Sequence, residues 1–190
     1  MQDEAYTMRS LTLFVSSHFM FNVLNVLQAE ILSGNKADAV QTLSLYSGLM
    51  RKACALANQP VISLNEERTF LQSYIQLEQR RFPEANLSVH LSGFETETVL
   101  IEPFQIQPFL ELAVLSARLP GNTRKIHLEF NQHENLLRIA SGVPDKNTLN
   151  KLAEKCEVAK QRLHFFKHSY NQYQKDSEFV QSIGFGRPEP

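Results

Sequence analysis

The first sixty residues alternate apolar and polar positions with the period of an α-helix, and no proline occurs before Pro60. Placing successive residues about 100° apart predicts two apolar stripes on the first helix. One stripe comprises Leu13, Met20, Leu24, Leu27 and Ile31, and the other comprises Val15, Phe19, Val23 and Val26. A narrow polar strip of His18, Asn22 and Asn25 is predicted to face away from the main seam. A helix that is apolar on two sides packs against more than one neighbour.

The sequence Ser33-Gly34-Asn35 ends this first helix, because a glycine commonly terminates a helix at its C-terminal end. A second helix is predicted over residues 37–56, and such a short turn makes the two helices an antiparallel hairpin. Two helices with broad apolar faces cannot close a core alone. We therefore expect a second copy of the chain to complete a dimeric four-helix bundle.

A third helix is predicted to run from the capping-box pair Ser63 and Glu66 to about Arg81, just before Pro83. Beyond it the pattern changes to strands and helices. Strands are predicted at 86–92, 125–131, 136–140 and 178–185, and helices at 103–118 and 147–172. Helices confined to one face of a sheet give an α+β sandwich. The predicted fold is therefore α+β, with a helical domain at residues 1–83 and a sandwich domain at residues 84–190.

The composition narrows the function classes further. With 43% hydrophobic residues the 190-residue chain buries a core and is not intrinsically disordered. A net charge of -1 leaves no excess of cations to recruit nucleic acid or an anionic membrane. No apolar run approaches the roughly 20 residues of a membrane span, and the polar start is unlike a secretory leader. Since Cys54 and Cys156 fit no metal or redox spacing, we expect a cytoplasmic protein and assign it neither metal nor cofactor. The cytoplasmic part of a membrane receptor remains an alternative.

Residues His18 to Asn25 read H-F-M-F-N-V-L-N, which resembles the H-box of the LytS-type sensor histidine kinases, P-H-F-L-F-N-x-L-N. Further segments resemble motifs of that family in the same order: Leu49–Arg51, Leu64–Glu67, Tyr74–Phe82, Ile106–Glu111 and Gln161–Phe166. The likeness is most specific over 18–25 and 64–82. It implies a dimerisation and phosphoacceptor hairpin followed by a Bergerat-type ATP-binding sandwich. In that arrangement His18 is the candidate phosphoacceptor, with Asn22 and Asn25 as the other candidate site residues.

The chain departs from the family pattern where the resemblance implies ATP binding. The N-box normally continues E-N-A-x-x-H, with an Asn that ligates Mg²⁺, whereas Glu111 is followed here by Leu112. A leucine side chain offers no oxygen to a magnesium ion. Asp145 stands about two positions late for the D-x-G-x-G box, and no glycine occurs between Gly142 and Gly184. We therefore expect a reduced sandwich without an ATP lid, in which Glu111 and Leu112 are vestiges of the nucleotide site.

These features favour a degenerate histidine-kinase-like protein of a two-component system, without ATP-dependent autokinase activity. It would act as a homodimer through contacts with a response regulator or a cognate histidine kinase, with phosphotransfer at His18. Three alternatives remain: an active LytS-type kinase core, a non-catalytic dimeric scaffold, and an adaptor that senses a small ligand. Glu78 and Arg81, which match family positions, are interpreted as an ion pair across one helical turn.

Overall fold

The computed structural model describes residues 17–186, without the side chains of residues 17, 18 and 151–155. Helices α1 (Ser17–Leu32) and α2 (Lys36–Ala57) form the hairpin at its front. Gly34 in the turn between them has a φ angle of +77°. A residue that carries a Cβ rarely adopts this backbone conformation, so this glycine ends α1 as predicted.

The two predicted stripes of α1 pack inside the chain to different extents, with Leu27 of the first stripe partly buried against the core. Phe19 and Val23 are buried, whereas Leu24 and Ile31 are 53% and 63% exposed. Helix α2 likewise exposes Val40. Leu13 and Val15 lie outside the described residues. The hairpin therefore leaves an apolar face uncovered, and the predicted second copy would cover it.

Helix α3 (Leu64–Arg81) begins at the predicted capping box. The Ser63 Oγ accepts a hydrogen bond from the Glu66 N–H at 3.2 Å, and the Glu66 carboxylate accepts one from the Ser63 N–H at 2.8 Å. The short strand β1 (Ile62–Ser63) directly precedes the helix and pairs antiparallel with β3 (Leu100–Ile101). The start of α3 is thus hydrogen-bonded to the rear of the chain.

A five-stranded sheet forms the rear of the molecule. Its strands are β2 (Ser88–Ser92), β4 (Lys125–Asn131), β5 (Leu136–Gly142), β6 (Ser169–Lys175) and β7 (Glu178–Gly184). They lie in the order β2-β4-β5-β7-β6, with β2 and β4 parallel and the other pairs antiparallel. Helices α4 (Gln107–Ala117) and α5 (Lys146–Phe165) complete this part. Along β4, Ile126, Leu128 and Phe130 are buried while the alternate residues are exposed, so the sheet has an open face.

Two of the predicted helix boundaries are wrong. Helix α4 begins at Gln107 rather than at Pro103, because Phe104 has a φ angle of +63° and cannot continue a right-handed helix. Helix α5 ends at Phe165 rather than at 172, since Lys167 has a φ angle of +59°. The residues that follow form β6, an edge strand that the sequence analysis misses.

A single hydrophobic core joins the helical front to the sheet. It contains Phe19 of α1, Tyr74 of α3, Phe109 of α4 and Leu128 of β4. The division into domains at residue 83 stays a prediction, because α3 shares this core with elements on both sides of it.

Candidate functional site

Helices α1, α3 and α4 enclose a small cavity that brings three of the sequence motifs together. Its volume is about 40 Å³, room for roughly one water molecule. It is lined by Phe19 and Asn22 from the H-box, by Tyr74, Glu78, Arg81 and Phe82 from the motif of α3, and by Glu111, Val114 and Leu115 from the N-box helix. We call this the three-helix cavity. The residues that the resemblance singles out separately are therefore neighbours in space.

The predicted ion pair of Glu78 and Arg81 is confirmed, and it is buried. The side chains of these residues are only 5% and 7% exposed. The Arg81 guanidinium also lies 4.8 Å from the ring centre of Phe82 and 5.5 Å from that of Phe19. Among the described residues, the Arg81 Nε has no hydrogen-bond partner. A buried ion pair needs both partners, because removing one leaves an uncompensated charge in the interior.

Burial raises the pKa values of two acidic side chains that line the cavity, Glu78 and Tyr74. Burial raises the pKa of Glu78, and the Arg81 guanidinium opposes the shift while the Glu111 carboxylate adds to it. Burial likewise raises the pKa of Tyr74 well above its ordinary value, and the carboxylates of Glu78 and Glu111 raise it further. The Gln107 Nε2 donates to the Glu111 Oε2 at 3.2 Å. Tyr74 therefore stays a neutral phenol in the middle of this network.

Asn22 and Asn25 of the H-box do not share one surface. His18 lies in the first turn of α1, and its side chain is outside the described part of the structure. Asn22 lines the three-helix cavity, whereas Asn25 is exposed. The strip is predicted to face away from the stripe that contains Leu24 and Ile31; that stripe is exposed at these two residues, and Asn22 lies on the packed side of α1. The ring of Phe19 packs 5.8 Å from that of Tyr74, and this contact turns the Asn22 side of α1 inward.

Leu112 of the N-box helix is buried in an apolar cluster. It is 3% exposed and packs with Cys156 of α5 and Phe179 of β7, and Leu115 packs against the same cluster. Glu111, the preceding residue, is half-buried and faces the three-helix cavity instead. The two N-box residues thus point into different surroundings, one polar and one apolar.

The connection between β5 and α5 is short and held in place. Only residues 143–145 separate the two elements. The Asp145 Oδ1 accepts the Thr148 N–H at 2.7 Å, which makes Asp145 the N-cap of α5. The Asn122 Nδ2 donates to the carbonyl oxygens of Ser116 and Val143, at 2.8 and 2.7 Å. The segment that follows β5 therefore turns directly into a helix.

Two charged residues that the sequence analysis missed join the helices. The Arg80 guanidinium donates to Thr42 Oγ1 at 2.6 Å and to Asp38 Oδ1 at 2.7 Å on α2, and lies 3.3 Å from the Glu30 carboxylate on α1. Glu67, in the first turn of α3, connects this helix to the segment before α4. Both residues belong to motif segments, but no local pattern predicts their contacts, because their partners lie far away in sequence.

Glu67 is fully buried and holds the segment before α4. Its carboxylate oxygens accept the N–H groups of Phe104 at 3.1 Å and Ile106 at 3.3 Å. Burial raises the pKa of Glu67 to about 7, although these hydrogen bonds and the charge of Arg162 oppose the shift. The Arg162 Nη2 also donates to the Pro103 carbonyl at 3.2 Å. Side chains from two helices, Glu67 of α3 and Arg162 of α5, thus hydrogen-bond to the backbone around the left-handed residue Phe104.

Comparison with known proteins finds similarity to histidine kinases over part of the chain. Residues 6–86 match the family model of the histidine kinases. The chain is 32% identical over 118 residues to the sensor histidine kinase/phosphatase LytS of Staphylococcus aureus (strain MRSA252), and 28% identical over 108 residues to the sensor protein LytS of Oceanobacillus iheyensis. These alignments cover 60% and 56% of this chain, but only 20% and 18% of the relatives. The chain thus aligns with about a fifth of each relative's length.

Two solved structures were also matched. One is the Acinetobacter baumannii histidine kinase AdeS, with a TM-score of 0.46 and 17% identity over 87% of this chain and 95% of that chain. The other is a bacterial phosphotransferase, with a TM-score of 0.43 and 10% identity over 86% of this chain and 87% of that chain.

The front of the chain is therefore similar to the histidine kinases over residues 6–86, which include the helical hairpin. The two sensor proteins that it resembles are both LytS proteins. In the part of the chain that is described, no helix is long and apolar enough to cross a membrane. The same part contains no group of three or more His, Cys, Asp or Glu side chains that could enclose a metal ion.

Proposed function

We propose that this protein is a LytS-like two-component signalling core that does not phosphorylate itself from ATP. It acts through contacts with a response regulator or a cognate kinase, and His18 exchanges a phosphoryl group with a receiver-domain aspartate. The observation that carries the proposal is the burial of Leu112 at the position where the resemblance implies a magnesium ligand.

The donor atoms near the N-box do not fit a magnesium-bridged triphosphate. Leu112 has no oxygen, and its neighbours Cys156 and Phe179 make the surroundings apolar. Magnesium requires oxygen ligands in near-octahedral geometry. Asp145, the nearest counterpart of the aspartate of the D-x-G-x-G box, is engaged as a helix cap. Only residues 143–145 lie between β5 and α5, and this connection is too short to form a lid over phosphates. Phosphoryl transfer from ATP depends on such positioning groups.

Phosphotransfer at His18 needs less machinery. An imidazole nitrogen attacks the phosphorus of an aspartyl phosphate, the N–P bond forms as the P–O bond to the carboxyl group breaks, and the aspartate leaves as a carboxylate. The reverse step returns the phosphoryl group to the regulator. Asn22 follows His18 by four residues and therefore belongs to the same side of α1. We assign Asn22 the role of orienting the phosphoryl group or an attacking water.

The proposed homodimer is supported by the apolar face of the hairpin. Leu24 and Ile31 of α1 and Val40 and Leu43 of α2 are each more than half exposed. Changing Leu24 and Ile31 together to Asp is expected to convert a dimer into a folded monomer in sedimentation experiments, because charges would then be buried at the interface. A wild-type monomer at tens of micromolar would contradict the dimer.

An active LytS-like kinase core is the second candidate, and the comparisons by themselves favour it. One relative is a sensor histidine kinase/phosphatase by name, and the family model matches the phosphoacceptor half of the chain. In that case, nucleotide would bind by contacts other than those of the N-box pattern.

One paired experiment separates the candidates. First, Mg·ATP binding is measured by calorimetry and autophosphorylation by transfer of labelled γ-phosphate; we expect neither. Second, a receiver domain phosphorylated by a small phosphodonor is mixed with wild type, with His18→Ala and with His133→Ala, a matched change at an exposed histidine. Label on wild type and on His133→Ala but not on His18→Ala supports the proposal. Binding of Mg·ATP and autophosphorylation at His18 would instead establish an active kinase. A stable dimer that shows neither autophosphorylation nor phosphotransfer would support the non-catalytic scaffold.

A further inference from the structure

His90 and His127 form an exposed pair on the open face of the sheet, and neither lines the three-helix cavity. They occupy facing positions on the neighbouring parallel strands β2 and β4. Their ring centres are 5.2 Å apart and the ring planes are within 12° of parallel. Both side chains are exposed. Because the rings are stacked, their in-plane nitrogens do not yet point at one site, and a shared ligand requires rotation of these exposed side chains about their χ angles.

The surroundings of the pair suit a cation ligand. The Ser88 hydroxyl lies 3.0 Å from the His90 Nε2, so one ring nitrogen already has an oxygen partner. Metal-binding histidines usually carry such an outer hydrogen bond, which fixes the ring and leaves the other nitrogen for the metal. On β4, the exposed Glu129 follows His127 by two residues and lies on the same face. Its carboxylate lowers the electrostatic cost of bringing a cation to the pair.

We propose that His90 and His127 form a two-histidine site for a late first-row transition-metal ion such as Ni²⁺, Cu²⁺ or Zn²⁺. Neutral imidazole is a ligand that these ions prefer, and affinity rises along the series to Cu²⁺. The described residues supply these two nitrogen ligands, and water fills the remaining positions. Nothing in the signalling chemistry of His18 requires this site.

The test uses untagged protein and Ni²⁺ as the probe. Calorimetry at pH 7.5 is expected to give one equivalent of bound Ni²⁺ for wild type. His90→Gln and His127→Gln are each expected to weaken binding about tenfold or more, since two ligands on one scaffold bind far better than one. The double variant, which keeps neither imidazole, should show no measurable binding at this site. His133→Gln, at an exposed histidine in the β4–β5 turn, is the matched control and should bind like wild type.

A second measurement locates the ion. Because Ni²⁺ is paramagnetic, substoichiometric amounts should broaden the amide resonances of β2 and β4 selectively. Circular dichroism without metal shows whether each variant is folded. Binding that survives in the double variant, broadening centred elsewhere, or wild-type binding no tighter than that of the single variants would overturn the assignment.

Discussion

The buried carboxyl group of Glu67 makes a quantitative prediction about stability. The ordinary pKa of a glutamate is 4.5, and burial raises the pKa of Glu67 to about 7 in the folded protein. The folded state therefore binds this proton more tightly than the unfolded state. The resulting stabilisation is fully present below pH 4.5 and is lost as the pH rises through 7.

The size of the effect follows from the difference between the two pKa values. At about 1.4 kcal/mol for each pKa unit, Glu67 should lower the free energy of unfolding by about 2.5 kcal/mol between pH 5 and pH 8. Urea unfolding followed by circular dichroism measures this free energy at each pH. Glu67→Gln removes the titrating group while keeping one oxygen that can accept from Phe104 or Ile106. Its free energy of unfolding should fall less steeply over this range than that of wild type.

The comparison needs a control, because Glu78 also has a raised pKa and contributes to the slope in both proteins. Glu84→Gln changes an exposed glutamate and should leave the slope of wild type unchanged. Equal slopes for Glu67→Gln and wild type would refute the reasoning. A uniformly lower free energy of unfolding for Glu67→Gln at every pH would instead report only the lost hydrogen bond.

Three further predictions concern the contacts between elements. Arg81→Leu should destabilise the protein by about 3–5 kcal/mol because it leaves the Glu78 carboxylate buried without its partner, and adding Glu78→Leu should recover part of the loss in urea unfolding. Arg80→Met should cost about 1–3 kcal/mol by breaking the charged hydrogen bonds between α3 and the hairpin, and hydrogen exchange should then accelerate in α2. Gly142→Ala should lower the melting temperature, since its Cβ would lie 2.6 Å from the Asn122 Cβ, and adding Asn122→Gly, which removes that atom, should relieve the clash.

The predicted secondary-structure elements are correct where the apolar pattern is strong. They are wrong where a single backbone φ angle sets the end of an element or where a strand is exposed. The regular alternation along β4 and the capping box at Ser63 are visible in the sequence, and the structure confirms both. Strand β6 is a largely exposed edge strand, so burial imposes no alternation on it. Phe104 and Lys167 adopt the left-handed backbone conformation although they are not glycines. Their residue types therefore gave no basis for predicting it.

The site shows the same division between local and long-range information. The motifs mark Asn22, Glu78 and Glu111 one by one, because each belongs to a segment with its own pattern. Their meeting in one cavity depends on how α1 packs against α3 and α4. The contacts of Arg80 and Glu67 were not predicted, although both residues belong to motif segments, because the partners of each lie more than 35 residues away in sequence. Contacts of that range are set by the fold, which a single sequence read by pattern does not resolve.

These contacts make α3 the element that connects α1 to α4. At one end, Glu67 fixes the turn that precedes α4. At the other end, Tyr74 contacts Phe19 of α1, and the buried Glu78–Arg81 pair lies against both helices. A rotation of α1 that withdraws Phe19 would admit water to this pair and weaken the charge interaction inside it. The position of α1 and the electrostatics at Glu111 are therefore coupled through α3, whether or not nucleotide binds nearby.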